Sequence, residues 1–181
     1  QANLTRQQDK IVAAITALGA DVVALEEIEA STAVSGGGTD RDAALNSLVA
    51  ALNAEAGSAV WSAGPSPAAV PTDEDVIRTA FIYKNATTET VGNSTILLGS
   101  AAFDNAREPL AQAFKATGAP DANQFLAIVN HFKSKGSGTG ADADMNDGQG
   151  ASNASRVAQA TALVNFANSM SATAGTDKVF L

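Results

Sequence analysis

Apolar residues recur at helical spacing at the start of the chain, at Leu4, Ile11, Ile15 and Leu18, and predict a first helix. Asn3 or Thr5 is placed to cap it and Gly19 to end it. The next run, Asp21-Val22-Val23-Ala24-Leu25, is short and continuously apolar, the texture of a strand covered on both faces. It ends in Glu26-Glu27-Ile28-Glu29, and the Ser/Thr/Gly-rich stretch 31–39 then reads as a surface loop. Asp40 or Asp42 can cap a second helix that carries Leu45, Leu48, Val49 and Leu52 on one face.

From residue 60 to about 117 the pattern changes to short β-type runs separated by Gly, Pro and Asn, at 76–83, 88–98 and 110–114, which predict an antiparallel block. Phe125-Leu126-Ala127-Ile128-Val129 predicts another buried strand, followed by a Gly/Asp/Ser loop over 133–150. A helix follows with Val157, Ala160, Leu163, Val164 and Phe166, and a last strand begins at Lys178. No repeat at solenoid spacing is present. Mixed helices and strands around an antiparallel centre predict an α+β fold in which two sheets pack face to face, flanked by helices. The apolar ending Val179-Phe180-Leu181 reads as the start of a buried strand, so residues 1–181 are expected to form part of a domain that continues beyond them.

Composition narrows the chemistry. With 181 residues and 45% hydrophobic content the chain can bury a sizeable core as one unit. No run approaches the roughly 20 apolar residues of a membrane-spanning helix, so no membrane partner is expected. Cysteine is absent, which excludes disulfides and thiolate metal sites and leaves oxygen ligands and the single His131. A net charge of −8 opposes binding of a polyanion through bulk electrostatics, although a bound divalent cation and a few clustered bases can reverse the sign locally.

Two polar clusters stand where layered α/β proteins place ligands, just beyond strand ends. In Glu26-Glu27-Ile28-Glu29, alternation puts Glu27 and Glu29 on one side and Glu26 on the other, so one carboxylate can face a site. Magnesium keeps several waters, so one protein carboxylate can contribute much of its site; the bland alternative is a solvated acidic stretch. In Asn130-His131-Phe132-Lys133-Ser134-Lys135, His131 can donate to a phosphate oxygen or relay a proton, while Lys133 and Lys135 add positive charge. A lone histidine is equally often a satisfied structural residue.

Arg78, Arg107 and Arg156 are candidates for phosphate contact because the guanidinium fork matches phosphate geometry. Surface ion pairs are the alternative, favoured for Arg156. The Asp142-Ala143-Asp144-Met145-Asn146-Asp147-Gly148 stretch lacks the downstream glutamate of an EF-hand and reads as a solvated loop. Gly36-Gly37-Gly38 has no Walker lysine, so it is not a phosphate-binding loop.

In order along the chain, five segments resemble the endonuclease/exonuclease/phosphatase superfamily, with its deoxyribonuclease I-like fold, and within it the bacterial extracellular nucleases. They are Ala20 through the Glu26-Glu27-Ile28-Glu29 cluster, Asp75-Val76-Ile77-Arg78-Thr79-Ala80-Phe81-Ile82-Tyr83-Lys84, and Arg107-Glu108-Pro109. Asn130-His131-Phe132-Lys133-Ser134-Lys135 is the fourth, and Asp147-Gly148-Gln149-Gly150 with Asn153, Arg156, Gln159 and Ala160 the fifth.

The resemblance implies α/β/β/α layers, here incomplete, and a metal-dependent nuclease that hydrolyses DNA or RNA outside the cell. It implies Glu27 as ligand of Mg2+ (or Ca2+ or Mn2+), His131 as the active-site histidine near the scissile phosphate, and Arg107 as a phosphate contact. Arg78 and Lys133 carry over more weakly. The family's early strand with an active-site asparagine, its Gly-Asp-x-Asn segment and its late Asp-His pair are not in this sequence, so the fragment alone is expected to be inactive. The cysteines that many relatives carry near Asn153 are also replaced here. Rival readings keep the fold with a lipid or sugar phosphate as substrate, or make the chain a non-catalytic binding module. Sheet edges left unpaired are expected to favour self-association.

Overall fold

In the computed structural model residues 2–181 are described, with side chains from residue 5 onward. The order is α1 (Ala2–Leu18), β1 (Val22–Glu29), α2 (Ala43–Ala56), β2 (Trp61–Ala63), β3 (Ile77–Lys84), β4 (Thr88–Ile96), β5 (Arg107–Ala116), β6 (Phe125–His131), α3 (Asn153–Ala174) and β7 (Val179–Phe180). Three single-turn 3-10 segments sit in the connections.

The strands form two sheets, β1-β3-β2 and β4-β5-β6-β7. All pairings are antiparallel except β6 with β7. Three apolar clusters correspond to the three interfaces between layers. Val12 and Ile15 of α1 and Leu45 and Leu52 of α2 pack on Val23, Trp61, Ala80 and Ile82 of the first sheet. Phe81 meets Leu110, Phe114 and Val129 between the sheets, with the Phe81 and Phe114 rings edge to face at 5.5 Å. On the outer side of the second sheet, Leu163, Phe166 and Ala167 of α3 cover Ala111, Ala113, Leu126 and Ile128. The α+β sandwich with α/β/β/α layers expected from the sequence is what forms.

Several local expectations are corrected. Asn3 and Thr5 lie inside α1 rather than ahead of it, whereas Gly19 ends the helix as expected, with φ 64° and its N–H bonded to the Thr16 carbonyl. Of the apolar stripe on α1, Ile15 is buried and Ile11 and Leu18 are exposed; the Leu4 side chain lies outside the described residues. On α3, Leu163 and Phe166 are buried but Val157 and Val164 face outward. Strand β1 runs on through Glu29 at an edge of its sheet; Val23 is buried beneath the helices and Val22 packs toward the other sheet, while Ala24 is exposed, so the second face is covered only in part. Asp42 precedes α2 without a side-chain cap bond, because its carboxylate is engaged by Arg78 at 2.6 Å.

Candidate functional site

Two bulges shape the polar end of the sandwich. Leu25 faces Ala80 and Ile28 faces Arg78, so Glu26 and Glu27 together oppose Thr79 alone. Glu27 has φ 58°, a left-handed backbone that costs a non-glycine residue about 1–2 kcal/mol. Simple alternation would have kept Glu27 on the face of Val23 and Leu25, under the helices. The extra residue instead returns Ile28 to that face, where it joins their cluster. Glu27 turns toward the other sheet, and its Oε1 lies 4.0 Å from His131 Nε2. The bulge thereby moves Glu27 off the face that alternation from Val23 and Leu25 assigns to it.

In the second sheet Arg107 faces His131 and Leu110 faces Val129, so Glu108 and Pro109 share one opposing residue, Asn130. A proline is tolerated at such a position because no ladder N–H is needed there. Arg107 and His131 are therefore direct cross-strand neighbours on one face. Arg107 Nη2 sits 2.7 Å from Asp75 Oδ2, while Arg107 Nε and His131 Nδ1 are buried without a hydrogen-bond partner among the described residues. Buried polar atoms are paired in the great majority of cases, so two such atoms on adjacent strands mark a place suited to a polar ligand.

Lys133 joins Arg107 and Asn105 along a polar cleft of about 430 Å3, whose other lining includes Asp73, Asp75, Asp104 and Glu108. Burial, followed by the charges of Asp73, Glu74 and Asp104, pushes the Glu108 carboxyl above its ordinary range, opposed by a backbone hydrogen bond. The cleft thus mixes two cations with an acidic rim.

Arg78 stands apart from this arrangement. It is 4% exposed, inside β3, and its Nη2 bonds Asp42 at 2.6 Å and the Arg41 carbonyl at 3.5 Å. Burial and the neighbouring Arg41 lower its pKa, with Asp42, Glu74 and Asp40 acting in the opposite sense. Arg41 in turn grips Glu74 through Nε, at 2.8 and 3.1 Å, and through Nη2, and reaches Ser66 Oγ at 3.2 Å. Arg78 therefore fastens the start of α2 to β3 and is engaged within the protein rather than presented to a phosphate. Because Glu74 precedes Asp75, the Arg41–Glu74 pair also sets the carboxylate beside Arg107. Among the described residues Arg156 has no carboxylate within ion-pair distance, although its charge acts on Asp142; it donates to the carbonyls of Ala151 and Gln149 at 2.7 and 2.8 Å and ties down the preceding loop.

Glu27 is the side chain here that can hold a metal ion. Its carboxylate is 68% exposed, and among the described residues no three His, Asp or Glu side chains gather around a common point. One accessible carboxylate fits magnesium, which retains much of its water shell. It does not fit a calcium cage built from protein oxygens. Sequence reasoning missed Asn105 as a contributor, and it drew no role for Asp75 or Gln159 from the motifs that contain them. Each is an ordinary polar residue until the fold places it, so no local signal marks them.

No family model matches the sequence, and no curated protein matches it either. Among solved structures, ANGEL2, described as a 2',3'-cyclic phosphatase, is 14% identical, with 68% of this chain and 30% of that chain covered and a TM-score of 0.41. Its complex with adenosine-2',3'-vanadate is 13% identical, with coverage of 68% and 31% and a TM-score of 0.41. An endonuclease/exonuclease/phosphatase from Beutenbergia cavernae is 19% identical, with coverage of 72% and 34% and a TM-score of 0.43. The chain spans about a third of the length of each.

Proposed function

We propose that this chain is part of a magnesium-dependent phosphodiesterase acting on nucleic acid, in an extracellular setting as the sequence resemblance implies. The observation that carries the reading is the meeting of Glu27 from one sheet with His131 from the other, beside Arg107. Glu27 would hold the metal, which when bound polarises a phosphoryl oxygen. His131 would donate a hydrogen bond to, or move a proton at, a phosphate oxygen. Arg107 would pair with the phosphate through the fork now shared with Asp75, and Lys133 would add charge from the cleft wall. With one carboxylate, one imidazole and two cations, the isolated chain is expected to bind without turning substrate over.

The test is a titration with a thymidine dinucleotide followed at the His131 imidazole by NMR, with and without magnesium. The reading expects a magnesium-enhanced response that Glu27→Gln weakens and Arg107→Ala abolishes. An unmodified chain whose imidazole ignores both dinucleotide and metal overturns it. The acidic rim of Asp73, Asp75, Asp104 and Glu108 favours a second reading, a small lipid or sugar phosphodiester, because a long polyanion would be repelled there. Tighter binding of a glycerophosphodiester than of the dinucleotide selects it. A binding module without catalysis in any longer form would show plasmid nicking absent even when the dinucleotide binds.

A further inference from the structure

We infer that Gln159 is a positioning residue that locks the exit of the His131 strand to the turn before Arg107, so that an oxyanion held by Arg107 faces the imidazole. This rests on the proposed phosphodiesterase reading and extends it to a side chain 26 positions beyond Lys133 that lines none of the polar cleft. Gln159 lies on the inner face of α3 and is 0% exposed. Its Oε1 accepts from the Lys133 backbone N–H at 2.9 Å, two residues past His131. Its Nε2 donates to Asn105 Oδ1 at 3.0 Å, two residues before Arg107.

The two ends of the link are the ends of neighbouring strands. Arg107 opens β5 and His131 closes β6, and beyond this pair the ladder stops, so no sheet hydrogen bond holds the outgoing chains together. One buried amide supplies the missing cross-connection, with an acceptor for one chain and a donor for the other. The far side is fixed as well: Asn105 Nδ2 donates to Ser155 Oγ at 3.1 Å, and Ser155 N–H donates to Asp142 Oδ1 at 2.8 Å. The chain of bonds runs from the acidic loop through α3 to the site, with the buried Gln159 amide at its centre and the Asn105–Ser155 bond at the surface. A glutamine whose sole role was packing would need neither partner at the site.

The experiment uses the full chain and sulfate, whose charge does not change between about pH 5 and 8, with binding read from the His131 ring resonances. Gln159→Met keeps the shape and removes both bonds. Its folded form is expected to bind sulfate about ten-fold more weakly than the wild type, the usual scale for loss of a supporting hydrogen bond behind a functional group. Gln159→Glu gives a second arm: burial keeps its carboxyl protonated at low pH, where it can both accept from Lys133 and donate to Asn105. Its affinity relative to wild type should approach one near pH 5 and fall as pH rises toward about 8. A folded Gln159→Met chain with wild-type affinity, or a pH-independent ratio for Gln159→Glu, overturns the inference. If the wild-type imidazole itself ignores sulfate, the phosphodiesterase reading fails first. A responsive wild type with indifferent variants leaves that reading standing and removes only the role of Gln159.

Discussion

Glu27 and His131 belong to different sheets, yet Glu27 Oε1 and His131 Nε2 stand 4.0 Å apart because one extra residue in β1 turns the carboxylate across the sandwich. At that distance the pair is in electrostatic contact without a direct hydrogen bond. The left-handed backbone of Glu27 is a local cost that the fold accepts at this position.

Replacing Glu27 with glycine should therefore stabilise the chain, by about 1 kcal/mol in urea unfolding, since glycine adopts positive φ without strain. The same variant should lose the magnesium response at His131. A loss of stability, as glycine causes at an ordinary strand position, would show that the bulge does not strain this residue.

Arg78 should behave as a structural residue. Arg78→Ala removes the buried guanidinium from Asp42, leaving Ser66 and Arg41 beside that carboxylate, and should destabilise by about 3 kcal/mol, as removal of one member of a largely buried pair does. Under conditions where the variant remains folded, sulfate binding at His131 should be unchanged. Weakened binding with little change in stability would return Arg78 to the phosphate site.

Asp75 competes with external anions for Arg107. Asp75→Asn should raise sulfate affinity by about 1.5- to 5-fold, the range set by partly exposed ion pairs. Unchanged affinity would mean that the fork of Arg107 does not receive the anion.

Glu108 predicts a pH dependence. Its carboxyl titrates above its ordinary value of 4.5, so the folded state binds the proton more tightly than the unfolded chain. The ionised form is thus the destabilising one, and its penalty is fully present above the raised pKa and relieved as pH falls through it. Glu108→Gln should increase the melting temperature at neutral pH, and the increase should shrink as the pH is lowered through the raised pKa toward 4.5. A gain that is constant down to acid pH would point to packing rather than charge.

The element order was legible because it depends on local periodicity: the apolar run at Val22, the stripe of Leu45 and Leu52, and the strand ending at His131 all appear where the pattern puts them. Residue chemistry also singled out His131, Glu27, Arg107 and Lys133, the last two of which line one cleft. Periodicity gives the wrong face for Glu27, however, since a bulge of one residue inverts every alternation that follows it. It also leaves Arg78 and Arg107 indistinguishable. Only the tertiary structure buries the first against Asp42 and sets the second beside His131, because burial and cross-strand register arise from contacts between residues distant in sequence. The sequence by itself determined which side chains carry the carboxylate, imidazole and cationic chemistry on which the proposed site draws. The folded arrangement of two sheets, two bulges and one buried glutamine decided which of them stand together.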